Sequence, residues 1–154
     1  MTTRTTVPAL GAQGWFSAEG EPHLIGVRCS ACGTYSFPPR AQWCPNPACR
    51  GTAMEPTPLS RRGRIWSYTD AQYQPPAPYV ADGDDFTPFA IAAVELEAEG
   101  LVILGQLVAG VGVDDVAVGD EVEVVTGTLF SDDEHDHQVW RWRPVAGSTT
   151  GGVA

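Results

Sequence analysis

The chain has 154 residues, a net charge of −10 and 43% hydrophobic residues, which suits one ordinary domain or two small ones of which one is held by a metal. No apolar run approaches the roughly 20 residues that cross a bilayer, and the stretch from Met1 to Gly11 lacks the apolar core of a secretory leader, so a cytoplasmic protein with no membrane partner is expected. The negative charge argues against nucleic acid, whose phosphates need a positive surface.

In chain order, Met1 to Gly14 is rich in Thr, Ala and Gly without periodicity and reads as a mobile arm. Trp15 and Phe16, followed by Ser-Ala-Glu-Gly, read as a short turn of helix, which closes an N-terminal segment over residues 1–20. His23 to Arg28 reads as a strand entering the pair Cys29-Ser-Ala-Cys32, and Thr34 to Phe37 as the returning strand. Gly33 fits a tight knuckle in which sulfurs accept backbone N–H bonds. The second pair, Cys44-Pro-Asn-Pro-Ala-Cys49, is longer, with Pro45 and Pro47 stiffening its turn.

These four are all the cysteines of the chain. Two close pairs at this spacing are the pattern of a structural zinc ribbon, with Cys29, Cys32, Cys44 and Cys49 as the ligands of a single ion. A pair of disulfides would need an oxidising compartment, for which the sequence offers no support. The ribbon is expected over residues 21–58, ending in a proline-broken connector from Met54 to Leu59.

Beyond it, strand-like segments recur. Gly63 to Asp70 alternates, which places Ile65 and Ser67 on one face and Trp66 and Tyr68 on the other. Phe89 to Leu96 and Leu101 to Val108 form a hairpin through Ala98-Glu99-Gly100. Val118-Gly119-Asp120 turns into the strand Glu121 to Thr126, and Val139 to Arg143 closes the series. The fold class is therefore mainly β: a zinc ribbon followed by a five-stranded Greek-key barrel of the oligonucleotide/oligosaccharide-binding (OB) type over residues 59–145. A Gly/Thr-rich tail, 146–154, is expected to be disordered.

The charge is unevenly spread. There is no lysine, and of nine arginines six (Arg28, Arg40, Arg50, Arg61, Arg62 and Arg64) lie in the ribbon and its link, and from Arg28 to Arg64 Glu55 is the one acid. From Ile65 to Val139 there are sixteen acids and no arginine. Arginine forks suit phosphate and carboxylate recognition; the same side chains can also lie over the ribbon surface or pair with acids of the second module. Between the first two barrel strands, Gln72 to Pro88 is long, proline-rich and aromatic, well beyond the median loop of about 4–6 residues. It reads as a binding loop carrying Tyr73, Tyr79 and Phe86, or alternatively as a lid over one end of the barrel.

The combination resembles a family of acyl-CoA-associated proteins that join a rubredoxin-like zinc ribbon to an OB-fold. The landmarks are Arg28-Cys-Ser-Ala-Cys-Gly33, Phe37-Pro-Pro-Arg40, the second cysteine pair, Arg62-Gly-Arg-Ile-Trp-Ser-Tyr-Thr69, Phe89 to Leu96, Gly105-Gln-Leu-Val108, Val118-Gly-Asp120 and Trp142-Arg-Pro144. They run in order over roughly residues 20–145, and Phe-Pro-Pro-Arg is the most specific of them. Members are similar to small subunits that pair with thiolase-superfamily enzymes, including acyl-CoA thiolases and the aldolases that shorten steroid side chains. The start at Trp15-Phe16, the knuckle Asn46-Pro-Ala-Cys49, the loop Tyr73-Gln-Pro-Pro76 and the end Val139-Trp-Arg-Trp142 most resemble the small subunits of benzoylsuccinyl-CoA thiolases. Many relatives begin with a longer helical hairpin, which has no counterpart ahead of this ribbon.

The resemblance implies a non-catalytic accessory subunit with one structural zinc, acyl-CoA as a ligand shared with a thiolase-like catalytic subunit, and a complex of two plus two chains. Coenzyme A is rich in phosphate, so Arg40 and Arg62 lead the expected contacts, with Arg61 and Arg64 beside them and Phe37, Trp43, Tyr73 and Tyr79 as surfaces for the adenine or pantetheine. A retro-aldolase subunit acting on a steroid side-chain acyl-CoA is the near alternative. An OB-fold that stacks bases on Trp66 and Tyr68 is an alternative of another class, opposed by the acidic barrel. An independent enzyme is disfavoured, because four thiolates leave zinc no open position for water. His135 and His137, flanking Asp136, could bind a metal weakly at strand spacing, but a charged loop is the expected reading. His23 is expected to be structural or exposed.

Overall fold

The computed structural model describes residues 3–9, 12–18, 20–39, 42–77, 79–81 and 85–145. Arg40 and the expected tail, 146–154, lie outside the described residues. Among the described residues the regular structure is ten strands and one 3-10 turn, Val113–Asp115.

The ribbon is built on β3 (His23–Cys29). Strand β5 (Met54–Pro58) pairs antiparallel along one edge, from Ile25 opposite Pro58 to Cys29 opposite Met54. On the other edge β2 (Phe16–Ser17) pairs at Leu24 and β4 (Tyr35–Ser36) at Val27 and Arg28. Met54 to Pro58 is thus a strand and not a connector. The Leu59 N–H donates to the Leu24 carbonyl, so by the two-residue period of a strand Pro56 and Pro58 turn their missing N–H away from β3. An edge strand tolerates proline in that position. Phe16–Ser17 is likewise extended and not a turn of helix.

The second module is a closed barrel of β6 (Arg62–Ala71), β7 (Phe89–Leu96), β8 (Leu101–Leu107), β9 (Glu121–Ser131) and β10 (His135–Pro144). The closed order is β6-β7-β8-β10-β9 and back to β6, antiparallel except for β8 with β10. This is the OB arrangement. Its interior is filled by Ile65, Val94, Leu96, Ile103, Leu107, Val122, Val124 and Trp142, and the same cluster takes in Leu24 and Leu59 from the base of the ribbon. The two modules therefore share one core.

Strand β6 departs from simple alternation. The register with β7 shifts between Ile65 and Ser67, so two residues oppose one and Trp66 sits in a β-bulge. Ile65 is buried and Tyr68 packs against the core, whereas Trp66 and Ser67 both face out. The expected pairing of Ile65 with Ser67 and of Trp66 with Tyr68 fails at this bulge.

The barrel is weakest where β8 meets β10, with only Arg141 opposite Gln106 and Trp142 opposite Leu107. Upstream on β10, β1 (Thr5–Pro8) pairs in parallel from Thr5 opposite His135 to Pro8 opposite Gln138. Residues expected in a mobile arm therefore form a strand. Arg4 holds it, with Nε 3.0 Å from Asp136 Oδ1 and Nη2 donating to the carbonyls of Asp132 and His135. The chain then returns at Trp15, which packs with Phe37 and Trp140 at 5.8 and 6.0 Å between ring centroids, while Phe37 meets Trp140 edge-on at 5.7 Å. The Trp140 indole donates to the Leu104 carbonyl. Each such aromatic pair contributes roughly 0.5–1.5 kcal/mol beyond area burial, so this cluster joins arm, ribbon and barrel.

Gly105 makes the joint possible. A Cβ there would lie 2.7 Å from Trp142 Nε1 and 2.9 Å from Trp140 Nε1, closer than real carbons approach. Gly105→Ala is expected to destabilise the chain by about 1–3 kcal/mol through overpacking, measured as a lower midpoint in urea unfolding.

Candidate functional site

Two knuckles bring the thiols together. In the first, the Cys29 N–H donates to the Thr34 carbonyl and the Gly33 N–H to the Cys29 carbonyl, with Gly33 at φ +82°. In the second, the Cys44 N–H donates to the Gly51 carbonyl and the Cys49 N–H to the Asn46 carbonyl. Asn46 Oδ1 also accepts from the Ala48 N–H at 3.0 Å, an Asx turn that shapes the longer loop around its two prolines.

All four Sγ atoms lie within 4.8 Å of one another. Cys29 and Cys49 sulfurs are 3.7 Å apart and those of Cys32 and Cys44 are 3.4 Å apart. Tetrahedral zinc with Zn–S of about 2.3 Å separates its sulfurs by about 3.8 Å, so the donor set fits this ion with little adjustment. Gly51 leaves the room: a Cβ there would sit 3.2 and 3.3 Å from the Cys49 and Cys29 sulfurs. The thiols are unequal. The Thr34 hydroxyl and then its backbone N–H lower Cys32 to about 6, whereas burial raises Cys44. Zinc bound here would supply cross-linking of the two knuckles and no catalytic chemistry, since all four positions are thiolates.

The link arginines fall together at the start of β6, where Arg62 faces the barrel's acids and Arg61 faces the ribbon. Arg61 Nε donates to the Pro22 carbonyl at 2.7 Å and its Nη1 lies 3.6 Å from Glu21. Arg62 lies 3.5 Å from Glu121 and 3.7 Å from Glu123, and Arg64 donates to the Gly119 carbonyl. Glu123 also takes Arg143, which with Arg62 and Arg61 holds its carboxyl below the usual range. The split between basic and acidic modules is thus partly answered along their seam, by partly exposed pairs of modest individual strength.

The remaining expected contact residues are spread over the molecule. Phe37 lies within the Trp15–Trp140 joint. Trp43, beside Cys44, is 67% exposed. Tyr73 is 80% exposed and borders a shallow groove with Gln72, Pro75 and Pro76. Tyr79 instead stacks on Phe89 at 5.8 Å, with interplanar angle 12°. It walls a cleft of about 350 Å³ that also takes in Gln106, Val108, Val111 and Arg141. Sequence reading passed over Gln106 and Arg141. Their alternation with the inward Leu107 and with Trp140 and Trp142 was the available cue, because it turns both outward.

His135 and His137 lie in β10 and not in a loop. His137 Nε2 is 2.7 Å from Asp132 Oδ2 and its ring stacks on Phe130 at 4.2 Å. His135 Nδ1 is 3.7 Å from Asp132. Among the described residues, the cysteine quartet is the group of Cys, His, Asp or Glu that meets the distances for one ion. The pair of histidines therefore serves the hairpin tip. His23 Nδ1 lies 3.1 Å from the Glu21 carbonyl at the ribbon entrance. Among the described residues, no helix is long and apolar enough to cross a membrane.

Comparison with known proteins agrees with both modules. The family profile described as the ChsH2 rubredoxin-like zinc ribbon domain matches residues 16–55, and that for the ChsH2 C-terminal OB-fold domain matches residues 56–127. A benzoylsuccinyl-CoA thiolase subunit BbsA from Thauera aromatica is 34% identical over 108 residues, which cover 70% of this chain and 66% of that protein, just under two thirds of its length. A DUF35 domain-containing scaffold protein of Methanocaldococcus jannaschii is 38% identical over 109 residues, 71% of each chain. Among solved structures, a chain of the Ltp2-ChsH2(DUF35) aldolase superposes with TM-score 0.59 at 29% identity, covering 79% of this chain and 84% of that one.

The metal account predicts a single zinc ion per purified chain by elemental analysis. Cys44→Ser should lose it and lower the thermal midpoint. Protons compete for the thiolates, so zinc should stay bound at neutral pH and be released as pH falls.

Proposed function

Because the chain belongs to the ChsH2 family of zinc-ribbon/OB-fold proteins, we propose that it is a non-catalytic accessory subunit of a thiolase-superfamily enzyme that cleaves a C–C bond in an acyl-CoA. The observation that carries this reading is the closed thiolate quartet. A metal held by four sulfurs offers no position to a substrate, so its task is to fix the ribbon on the barrel and present their joint surface to another chain.

In this reading the exposed aromatics Trp43 and Tyr73, with Tyr79 at the cleft, provide flat surface for the adenine or pantetheine of acyl-CoA. Arg40 and Arg64 meet its phosphates, with Arg61 and Arg62 joining them by giving up their partly exposed carboxylate partners. Phe37 acts indirectly by fixing the joint that sets the ribbon's angle. The active site, with its nucleophile and acid/base groups, belongs to the partner, in a complex of two plus two chains.

A second reading assigns the partner a retro-aldol cleavage. It is favoured by the likeness to the Ltp2-ChsH2(DUF35) aldolase chain, which extends over both modules. The accessory role is the same in both. Nucleic-acid binding fits poorly, because sixteen acids and no arginine lie between Ile65 and Val139.

The test is to recover the tagged chain from its native cells and identify what stays bound by mass spectrometry. A thiolase-superfamily subunit is expected, with acyl-CoA turnover that needs both chains. Turnover by the purified chain alone would contradict the proposal. In the complex, Trp43→Ala combined with Tyr73→Ala should raise the KM for acyl-CoA by about tenfold, equivalent to roughly 1.4 kcal/mol.

A further inference from the structure

The outer face of β6, β7 and β8 carries an apolar patch that the barrel's own packing does not use. Side chains alternate along β7 and β8, so Ala92, Val94 and Leu96 point inward with Ile103 and Leu107, while Ile91, Ala93, Glu95, Val102, Leu104 and Gln106 point outward. Ala93 pairs with Leu104 on one side and with Ser67 on the other. On β6, Trp66 points out beside this row, next to the buried Ile65. Trp66 is 61% exposed, Leu104 64% and Val102 46%. They lie on β6 and β8 on either side of Ala93 of β7, which is itself buried, and are bordered by Glu95, which stands directly opposite Val102.

Such a patch has a cost in solubility, and contiguous exposed apolar surface of this kind marks an interaction site. Tryptophan is the residue most enriched among the anchors of protein interfaces.

Charge decides the occupant. The equivalent face of OB-folds, on their second and third strands, is the one that takes oligonucleotides. Here it presents apolar groups, with Glu95 and the Arg64 opposite it at one edge, on a barrel strand series with sixteen acids and no arginine between Ile65 and Val139. Phosphate is repelled. A second copy of the chain would bring two bodies of charge −10 face to face, which like-charge repulsion opposes. The complementary occupant is a different protein that offers an apolar surface rimmed by Lys or Arg.

We propose that the Trp66–Ala93–Leu104 face of the barrel is the docking surface for the catalytic subunit, and this rests on the accessory-subunit reading above. The outer barrel face then does the docking, and Trp43 of the ribbon and the Tyr73 loop are left to reach the acyl-CoA.

The test uses Leu104→Glu and Trp66→Ala in the full chain, with the thiolase-superfamily subunit recovered with the wild-type chain as the probe. Both side chains are largely outside the core, so bound zinc and thermal midpoint should match wild type. Binding by calorimetry should weaken at least about tenfold for each variant, the size of effect expected of a central anchor. Glu95→Lys should weaken it further at low salt than at high salt. Unchanged affinity in both Leu104→Glu and Trp66→Ala would overturn the docking face while leaving the accessory role intact. Recovery of no thiolase-superfamily subunit with the wild-type chain would overturn both. A homodimer of the wild-type chain in sedimentation equilibrium that Leu104→Glu abolishes would overturn the choice of partner.

Discussion

Four sulfurs converging on one point constrain the ribbon. The ribbon strands are short, with β2 and β4 only two residues each, far too small to fold on apolar burial alone. Their order comes from the knuckles, which direct backbone N–H groups and four thiols inward, and from the ion that the thiols fit. Each knuckle places neighbouring residues as a consequence. Trp43 stands out beside Cys44, Phe37 is swung under Trp15 and Trp140, and the run Met54–Pro58 is laid along β3.

The constraint is transmitted to the barrel through aromatic packing. Trp140 is where the two modules meet, touched by Trp15 and Phe16 from the arm side and by Phe37 from the ribbon. It occupies the place where β8 and β10 are paired by only two residues, the natural gap of this barrel topology. The N-terminal strand β1 lies along β10 just upstream. Arm, ribbon and hydrophobic joint thus converge at one seam, and a shared core runs from Leu24 and Leu59 to Trp142. A partner docking on the barrel would consequently find the ribbon at a fixed angle, which is what a shared ligand site between two chains requires.

Much of this was legible in the residues. The cysteine spacing pointed to the four thiols that converge on one point, and the alternating segments from Phe89, Leu101, Glu121 and Val139 pointed to the barrel and its family likeness. Three features were not legible, each for a physical reason. The arm at Thr5–Pro8 has no pattern of its own, because a strap strand takes its order from β10 and from Arg4. Met54–Pro58 looked broken by proline, and only its position at a sheet edge makes the prolines harmless. The bulge at Trp66 is a register shift, invisible to a period-two reading, and it turned Ser67 out and Tyr68 in, leaving Tyr68 on the face opposite Trp66. The expected contact residues were harder still: the packing of Phe37 against Trp15 and Trp140 and the ion pairing of Arg62 with Glu121 and Glu123 depend on contacts between residues distant in sequence.

The central claim is that the metal is a closed scaffold and that the chemistry belongs to another chain. X-ray absorption at the zinc edge, recorded on the complex with its catalytic subunit before and after adding acyl-CoA, tests it most directly. The account predicts four sulfur neighbours at about 2.3 Å in both states, with no change on ligand binding. An oxygen or nitrogen neighbour, or a coordination shell that alters when acyl-CoA is added, would contradict it.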